Sequence, residues 1–295
     1  MENAKNERLT EAEMNRNELS QLRSENEELS RSLFEVNRKL RDSERLKGHF
    51  ISNITNEIIN PFASILALAE NIKQLNEDQL WQARRMAEFI YDEAFHLDFQ
   101  FKNIFAAAML EAGLEEIKPA QVRLDEFGIH LSDYFHAQLF KESINLDVSC
   151  VNLLAANEPL FVVTDREKLD LILKNLLSNA IKFSQSGSVI GLHFVREKDR
   201  FSVEVSDHGK GINPDDRKVI FDRFRQLDEK INSLNTGHGL GLSIVQAYTE
   251  MLGGEISLTD NSDKGIRFAI TLPEIQVTMD WNEMDDFLLD TETRY

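Results

Sequence analysis

The sequence predicts two architectures in series: an all-α front half, built as a coiled coil and a helical hairpin, and an α/β sandwich behind it. Three observations predict this. The first 48 residues hold no proline and a single glycine, Gly48, and carry leucines at heptad spacing. A second apolar stripe, from Ala83 to Ala108, alternates spacings of four and three, the period of a helix-bundle seam. After Pro119, strand-like alternation interleaves with separated helices, which suits a sandwich with a mixed sheet. The segments read as 1–48, 49–116, 117–274 and an acidic tail, 275–295.

Size and composition set the outer limits. At 295 residues there is room for about two domains. A hydrophobic fraction of 42% is enough to build a core and excludes disorder throughout. The longest apolar run, Ile104 to Leu110, falls far short of the ~20 residues a membrane helix needs. A cytoplasmic chain is therefore expected. Cys150 is the only cysteine, so neither an internal disulfide framework nor a multi-cysteine metal site can form. A net charge of −18 argues against nucleic-acid binding.

Along the chain, Leu22, Leu29 and Val36 fall in one heptad register and Leu19, Leu33 and Leu40 in the other. This predicts a parallel coiled-coil dimer, with Asn26 as a register-setting polar position. No sensing part precedes the expected coiled coil in these 295 residues, so either the sequence is a piece of a longer chain or its sensor is expected elsewhere. Ile54, Ile58, Phe62, Ile65, Ala69 and Ile72 then give a first hairpin helix, kinked at Pro61. Asn76, Glu77 and Asp78 break it. The second helix carries the Ala83–Ala108 stripe and closes at Gly113. So broad an apolar face predicts pairing of two hairpins into a dimeric four-helix bundle.

Behind it, Leu124 to Lys141 reads as a helix. Ile144 to Val151 and Phe161 to Thr164 read as strands. Asp165 caps a helix through Asn175 to Lys182. Val189–Val195 and Phe201–Val205 form a hairpin. A helix from Gly241 to Leu252 and strands Glu255–Leu258 and Arg267–Leu272 complete the domain.

Three segments bear chemistry, and each has a plain structural alternative. Asp207-His208-Gly209-Lys210-Gly211 follows a strand. A carboxylate there can accept a hydrogen bond from an exocyclic amine such as that of adenine, with glycines letting the backbone pass a flat ring; the alternative is a simple turn. Thr236-Gly237-His238-Gly239-Leu240-Gly241-Leu242 precedes a helix. Its alternate glycines free backbone amides for a polyphosphate; the alternative is a flexible hinge. Asn175, Asn179 and Lys182 share one helix face. An amide oxygen suits Mg²⁺ and an ammonium suits phosphate; the alternative is a polar helix face.

In order and spacing these segments resemble the ATP-binding domain of the sensor histidine kinases, where they are the N box and two glycine boxes. Ile220-Phe221-Asp222-Arg223-Phe224-Arg225 matches the intervening F box, and Gly253, Gly254 and Gly265 fit as well. The resemblance covers about residues 45 to 273 and implies the Bergerat fold. It implies Mg²⁺ and ATP as cofactors, Asp207 as the adenine reader, Asn175 as the Mg²⁺ ligand, and Asn179 and Lys182 facing the phosphates. Gly209, Gly211, Phe221, Phe224, Gly237, His238, Gly239, Leu240 and Gly241 would complete the nucleotide site. The hydrolysing cousins carry a Glu near the position of Asn175; its absence implies phosphoryl transfer rather than water activation.

The hairpin resembles the family's dimerisation and phosphotransfer domain. Its H box reads Phe50-Ile51-Ser52-Asn53-Ile54-Thr55-Asn56-Glu57-Ile58-Ile59-Asn60-Pro61-Phe62. Alignment through Glu57 and Pro61 places Asn56 where the phosphoacceptor histidine belongs. An imidazole lone pair attacks phosphorus, whereas the Asn amide nitrogen is delocalised into its carbonyl. Autophosphorylation is therefore expected to be lost. Glu57 fills the place of the residue that assists transfer. Asn60 fills the place that positions water for dephosphorylating a response regulator. Four readings follow: an engineered block, a natural pseudokinase beside a His-bearing partner kinase, a phosphatase, or a Bergerat-type ATP-gated scaffold.

Overall fold

A computed structural model describes residues 26, 28–34, 36–38, 58–153, 159–222, 239–261 and 264–276. The chain divides into two units, Met1–Glu57 and Ile58–Tyr295. In the first, the described residues between 26 and 38 are helical, and Leu29, Leu33 and Val36 lie exposed. The rest of the expected coiled coil falls outside the described residues, as does the expected first hairpin helix before residue 58.

The second unit opens with α1, residues 58–73. The expected break follows it. Asn76 caps a 3₁₀ turn, Glu77–Gln79, and its own N–H donates to Gln79 Oε1 at 3.0 Å. Helix α2, Leu80–Ala112, runs for 33 residues. It ends where Gly113 adopts a left-handed φ of 66°, and the N–H groups of residues 113 and 114 close onto the Leu110 and Met109 carbonyls in a Schellman pattern. The bundle stripe stays largely uncovered in the single chain: Ala87, Ala94, Phe101 and Ala108 are exposed. The fully buried α2 side chains are Asn103 and Ala106, on a different face.

The α/β part contains β1 (Pro119–Arg123), α3 (Leu124–Tyr134), α4 (His136–Lys141), β2 (Asn145–Asn152), β3 (Phe161–Asp165), α5 (Arg166–Phe183), β4 (Val189–Arg196), β5 (Arg200–Ser206), α6 (Gly241–Met251), β6 (Glu255–Asp260) and β7 (Ile266–Pro273). Two expectations need correction. The helix over Leu124 to Lys141 is two helices, interrupted at Phe135. Pro119 opens a strand, β1, which pairs antiparallel with β3 as a separate two-stranded sheet. Its five residues were too few for a periodic signal, and proline is tolerated at a strand's first position.

The main sheet has the order β2-β4-β5-β7-β6. β2 and β4 run parallel and the other neighbours antiparallel, so the sheet is mixed as expected. One face alternates into the core: Ile190, Leu192 and Phe194 on β4, Phe201, Val203 and Val205 on β5, and Phe268, Ile270 and Leu272 on β7. Helices α3, α5 and α6 cover that face, contributing Leu131, Leu169, Ile172, Leu173, Leu176, Ile244 and Val245. Each such side chain contributes about 1.5–3 kcal/mol through burial. This core fixes the end of the sheet at which β5, α5 and α6 present the site.

Candidate functional site

Strand β5, in the middle of the sheet, delivers Asp207 just past its C-terminal end. Asp207 is buried, at 8% exposure. Its Oδ1 accepts from the N–H of Gly209 at 2.8 Å and of Ile266 at 3.2 Å. Both donors reach one oxygen, so Oδ2 is left for an incoming donor. Burial pushes the carboxyl pKa above its ordinary 3.8, against the pull of those two N–H groups and of His208. The backbone around it is tight. A Cβ on Gly265, whose φ is +107°, would lie 2.1 Å from the Asp207 carbonyl oxygen. A Cβ on Gly209 would lie 2.5 Å from the Phe183 carbonyl oxygen. The need for glycine at 209 is thus a close approach to the end of α5, where Ser184 and Gly209 bridge. Gly211 has open space and a left-handed φ of 75°. Beside this loop an open cavity of about 500 Å³ is lined by Lys210, Gly211, Ile212, Arg217, Asp260, Lys264 and Gly265 among others.

Helix α5 supplies the polar face. Asp165 caps it, accepting the Lys168 N–H at 3.0 Å, as its sequence position predicted; such a cap is worth ~1 kcal/mol. Asn175 is 3% exposed. Its Nδ2 donates to the Leu171 carbonyl at 2.8 Å and to Asn103 Oδ1, on α2, at 2.7 Å. Its Oδ1 faces the glycine loop, where a Cβ on Gly241 would fall 2.6 Å away. One turn on, Asn179 is half-buried and Lys182 exposed, with the Lys182 and Lys210 ammonium groups 5.3 and 5.5 Å from the centre of the Phe183 ring. Leu240 and Gly241 lead into α6, whose start has no side-chain cap. Its first N–H groups are therefore available to an anion.

Of the other expected site residues, Gly239 has a left-handed φ of 68°, Phe221 is half-buried, and Asn60 is exposed on α1. Asn56, Glu57, Phe224, Gly237 and His238 lie outside the described residues. Two features have no counterpart in the sequence reading. One is Asn103, which fell on no motif. The other is a buried ion cluster between the end of α2 and α5. Lys168 Nζ reaches the Glu116 carbonyl at 2.6 Å, Glu115 Oε2 at 3.0 Å and Asp165 Oδ2 at 3.1 Å, and Tyr248 OH donates to Glu115 Oε1 at 2.7 Å.

Comparison with known proteins bears on this arrangement. Residues 164–276 match the family model described as histidine kinase-, DNA gyrase B- and HSP90-like ATPase. Over 236 residues the chain is 31% identical to sensor histidine kinase TmoS of Ectopseudomonas mendocina, covering 80% of this chain and 24% of that protein. The relatives that the chain resembles over most of its length are named as histidine kinases. Histidine kinase YcbM of Bacillus subtilis is 27% identical over 81% of this chain and 75% of its own length. Hybrid signal transduction histidine kinase D of Dictyostelium discoideum is 30% identical over 86% of this chain. The chain spans only 16% of that protein. Among solved histidine kinases, full-length ShkA in complex with AMPPNP shares the fold with a TM-score of 0.55 at 23% identity, covering 80% of this chain and 47% of that one. Acinetobacter baumannii histidine kinase AdeS does so with a TM-score of 0.52 at 16% identity, over 75% of this chain and 98% of that one. The α/β part is a Bergerat-type ATPase domain with a mixed sheet. No helix among the described residues is long and apolar enough to cross a membrane.

Proposed function

We propose that this chain is the catalytic core of a two-component sensor histidine kinase, that it binds Mg-ATP, and that it cannot phosphorylate itself because Asn56 stands at the acceptor position. The observation that carries the nucleotide reading is the paired geometry at the two ends of the site. Asp207 holds one carboxylate oxygen toward an incoming amine, and Asn175 holds its amide oxygen toward the Gly239–Gly241 loop. Adenine fits the first end and a triphosphate the second. Asn179 and Lys182 lie on the same face of α5 as Asn175 and would hold the phosphates, as would the N–H groups opening α6. Gly211, Phe221, Phe224, Gly237, His238 and Leu240 complete the reading.

A divalent cation fits the residues present. Among the described residues no group of three or more His, Cys, Asp or Glu could hold one alone. Mg²⁺ commonly takes one or two protein oxygens together with substrate phosphates. The Asn175 amide oxygen, in a cradle that only glycine at 241 leaves open, is such an oxygen. Bound there, Mg²⁺ would neutralise charge on the phosphates. In this reading residues 1–48 form a parallel coiled coil and 49–116 a hairpin that pairs two copies. The uncovered stripe on α2 supports that pairing. The hairpin would also dock a response regulator in the cytoplasm.

A second reading draws support from Asn60, exposed on α1. A hydrogen-bonding amide suffices to position water for hydrolysis of an aspartyl-phosphate, so phosphatase activity would survive the loss of the histidine. Labelling with γ-labelled ATP and Mg²⁺, beside the Asn56→His variant, tests the proposal. Acid-labile label on Asn56→His alone is the expected result. Label on the unaltered chain would overturn the reading of Asn56. Label on neither would move the function to the phosphatase or scaffold reading.

A further inference from the structure

The second unit brings one polar side chain of the hairpin into the nucleotide site. Asn103 lies on α2, 72 residues from Asn175 in sequence, and is 6% exposed. A polar side chain in the middle of a helix, buried to that degree, needs its partners satisfied. The geometry shows how they are met. Asn103 Nδ2 donates back to the Phe99 carbonyl at 3.1 Å. Asn175 Nδ2 donates back to the Leu171 carbonyl at 2.8 Å. A backbone carbonyl can only accept, so each amide must turn its nitrogen toward its own helix. That fixes both orientations without ambiguity. Asn103 is left with Oδ1 pointing at its neighbour, and Asn175 meets it with the second proton of Nδ2 at 2.7 Å. Both protons of the Asn175 amide are then spent. Its carbonyl oxygen is the one group left over, and it faces Gly241.

We propose that Asn103 is a positioning residue of the nucleotide site: from the hairpin helix it locks the Asn175 amide with its oxygen turned to the glycine loop, so the site's response to Mg²⁺ depends on α2 lying against α5. This rests on the reading of Asn175 as a metal ligand. The link is chemical. An amide free to flip presents nitrogen, which cannot ligate a hard cation, for part of the time. The hydrogen bond from Asn175 to Asn103 removes that state. It also means that a movement of α2 away from α5 reaches the metal ligand directly, through one side chain. Ala106, the other buried α2 residue, lies one turn further along the same contact face, and the Lys168–Glu115 pair closes its end.

The test uses the full chain and equilibrium binding of AMPPNP, measured by calorimetry in Mg²⁺ and in EDTA. Four proteins are compared: the unaltered chain, Asn103→Ala, Asn103→Asp and Asn175→Ala. A lost orienting hydrogen bond of typical strength corresponds to about a tenfold effect. Asn103→Ala is expected to lose about that factor from the tightening that Mg²⁺ brings, with affinity in EDTA unchanged. Asn103→Asp keeps an acceptor toward Asn175 and is expected to retain the Mg²⁺ response. Equal weakening in Mg²⁺ and EDTA would show a packing role only and overturn the proposal. So would a full Mg²⁺ response in Asn103→Ala, or an Asp variant as defective as the Ala one. If Asn175→Ala loses the response while Asn103→Ala keeps it, the metal reading stands and the positioning role falls. If Asn175→Ala keeps it, both fall together.

Discussion

Replacing Lys168 by methionine probes the junction between the hairpin and the ATPase domain. Lys168 is 5% exposed. Its ammonium joins the Glu116 carbonyl, Glu115 and Asp165 at 2.6, 3.0 and 3.1 Å. Lys168→Met keeps the buried stem but removes the charge and all three bonds. Two carboxylates stay behind. Asp165 retains the N–H groups of residues 118 and 168, at 2.8 and 3.0 Å, and Glu115 retains the Tyr248 hydroxyl at 2.7 Å. Stripping one partner from a buried pair costs about 3–5 kcal/mol. The surviving donors place the expected loss near the lower end, about 3 kcal/mol. For a domain of this size that lowers Tm by about 6–12 °C, read by circular dichroism on the full chain. Burial alone would lower the lysine pKa, but Glu115 and Asp165 outweigh it and hold it above 10.5. The stabilisation is therefore complete at neutral pH and fades only as pH rises through that raised value. A Tm change under about 2 °C at pH 7 would refute the cluster as a stabilising junction.

The other predictions concern the proposed adenine end of the site. Gly265→Ala places a Cβ 2.1 Å from the Asp207 carbonyl oxygen at a φ of +107°, so it is expected to cost about 3 kcal/mol in urea unfolding and to abolish nucleotide binding. Normal AMPPNP affinity in that variant would contradict the close-approach argument. Asp207 has a folded pKa raised above 3.8 by burial. Its stabilising contribution is therefore present below 3.8 and lost as pH rises through the folded value. Asp207→Asn keeps an acceptor for Gly209 and Ile266, so it is expected to raise stability at pH 7 and to weaken nucleotide binding. In the unaltered chain, affinity is expected to fall as pH drops through the raised Asp207 pKa, because the amine of adenine needs the ionised oxygen. A pH-independent affinity down to 3.8 would count against Asp207 as the acceptor.

Much of the fold could be read where a local signal was strong. The strand at Val189–Val195 and the helix through Asn175 to Lys182 announce themselves by period, and Asp165 by its place before an apolar run. Gly113 ends α2 because only a residue tolerant of positive φ closes a helix in that way. The strand at Pro119–Arg123 was missed because it gains its identity only by pairing with β3, more than 35 residues later. The break at Phe135 was missed because the apolar pattern runs on through it, with Phe135 and Leu139 both buried. At the site, Asp207 and the glycines were legible as residue types in order. What Gly209 is for was not, since the atom it avoids belongs to Phe183.

By itself the sequence determined where most of the helices and strands lie and which residue types stand in the glycine-rich segments, because each follows from local period or from the chemistry of a single side chain. Only the tertiary structure decided which face of α2 meets the ATPase domain. Its apolar stripe advertises a partner, and sequence reasoning followed that stripe. The face that is buried within the chain carries Asn103, a polar residue with no periodic signal. A buried amide is stable there only because α5 brings a matching amide to it, and no sequence records that pairing until both helices are in place.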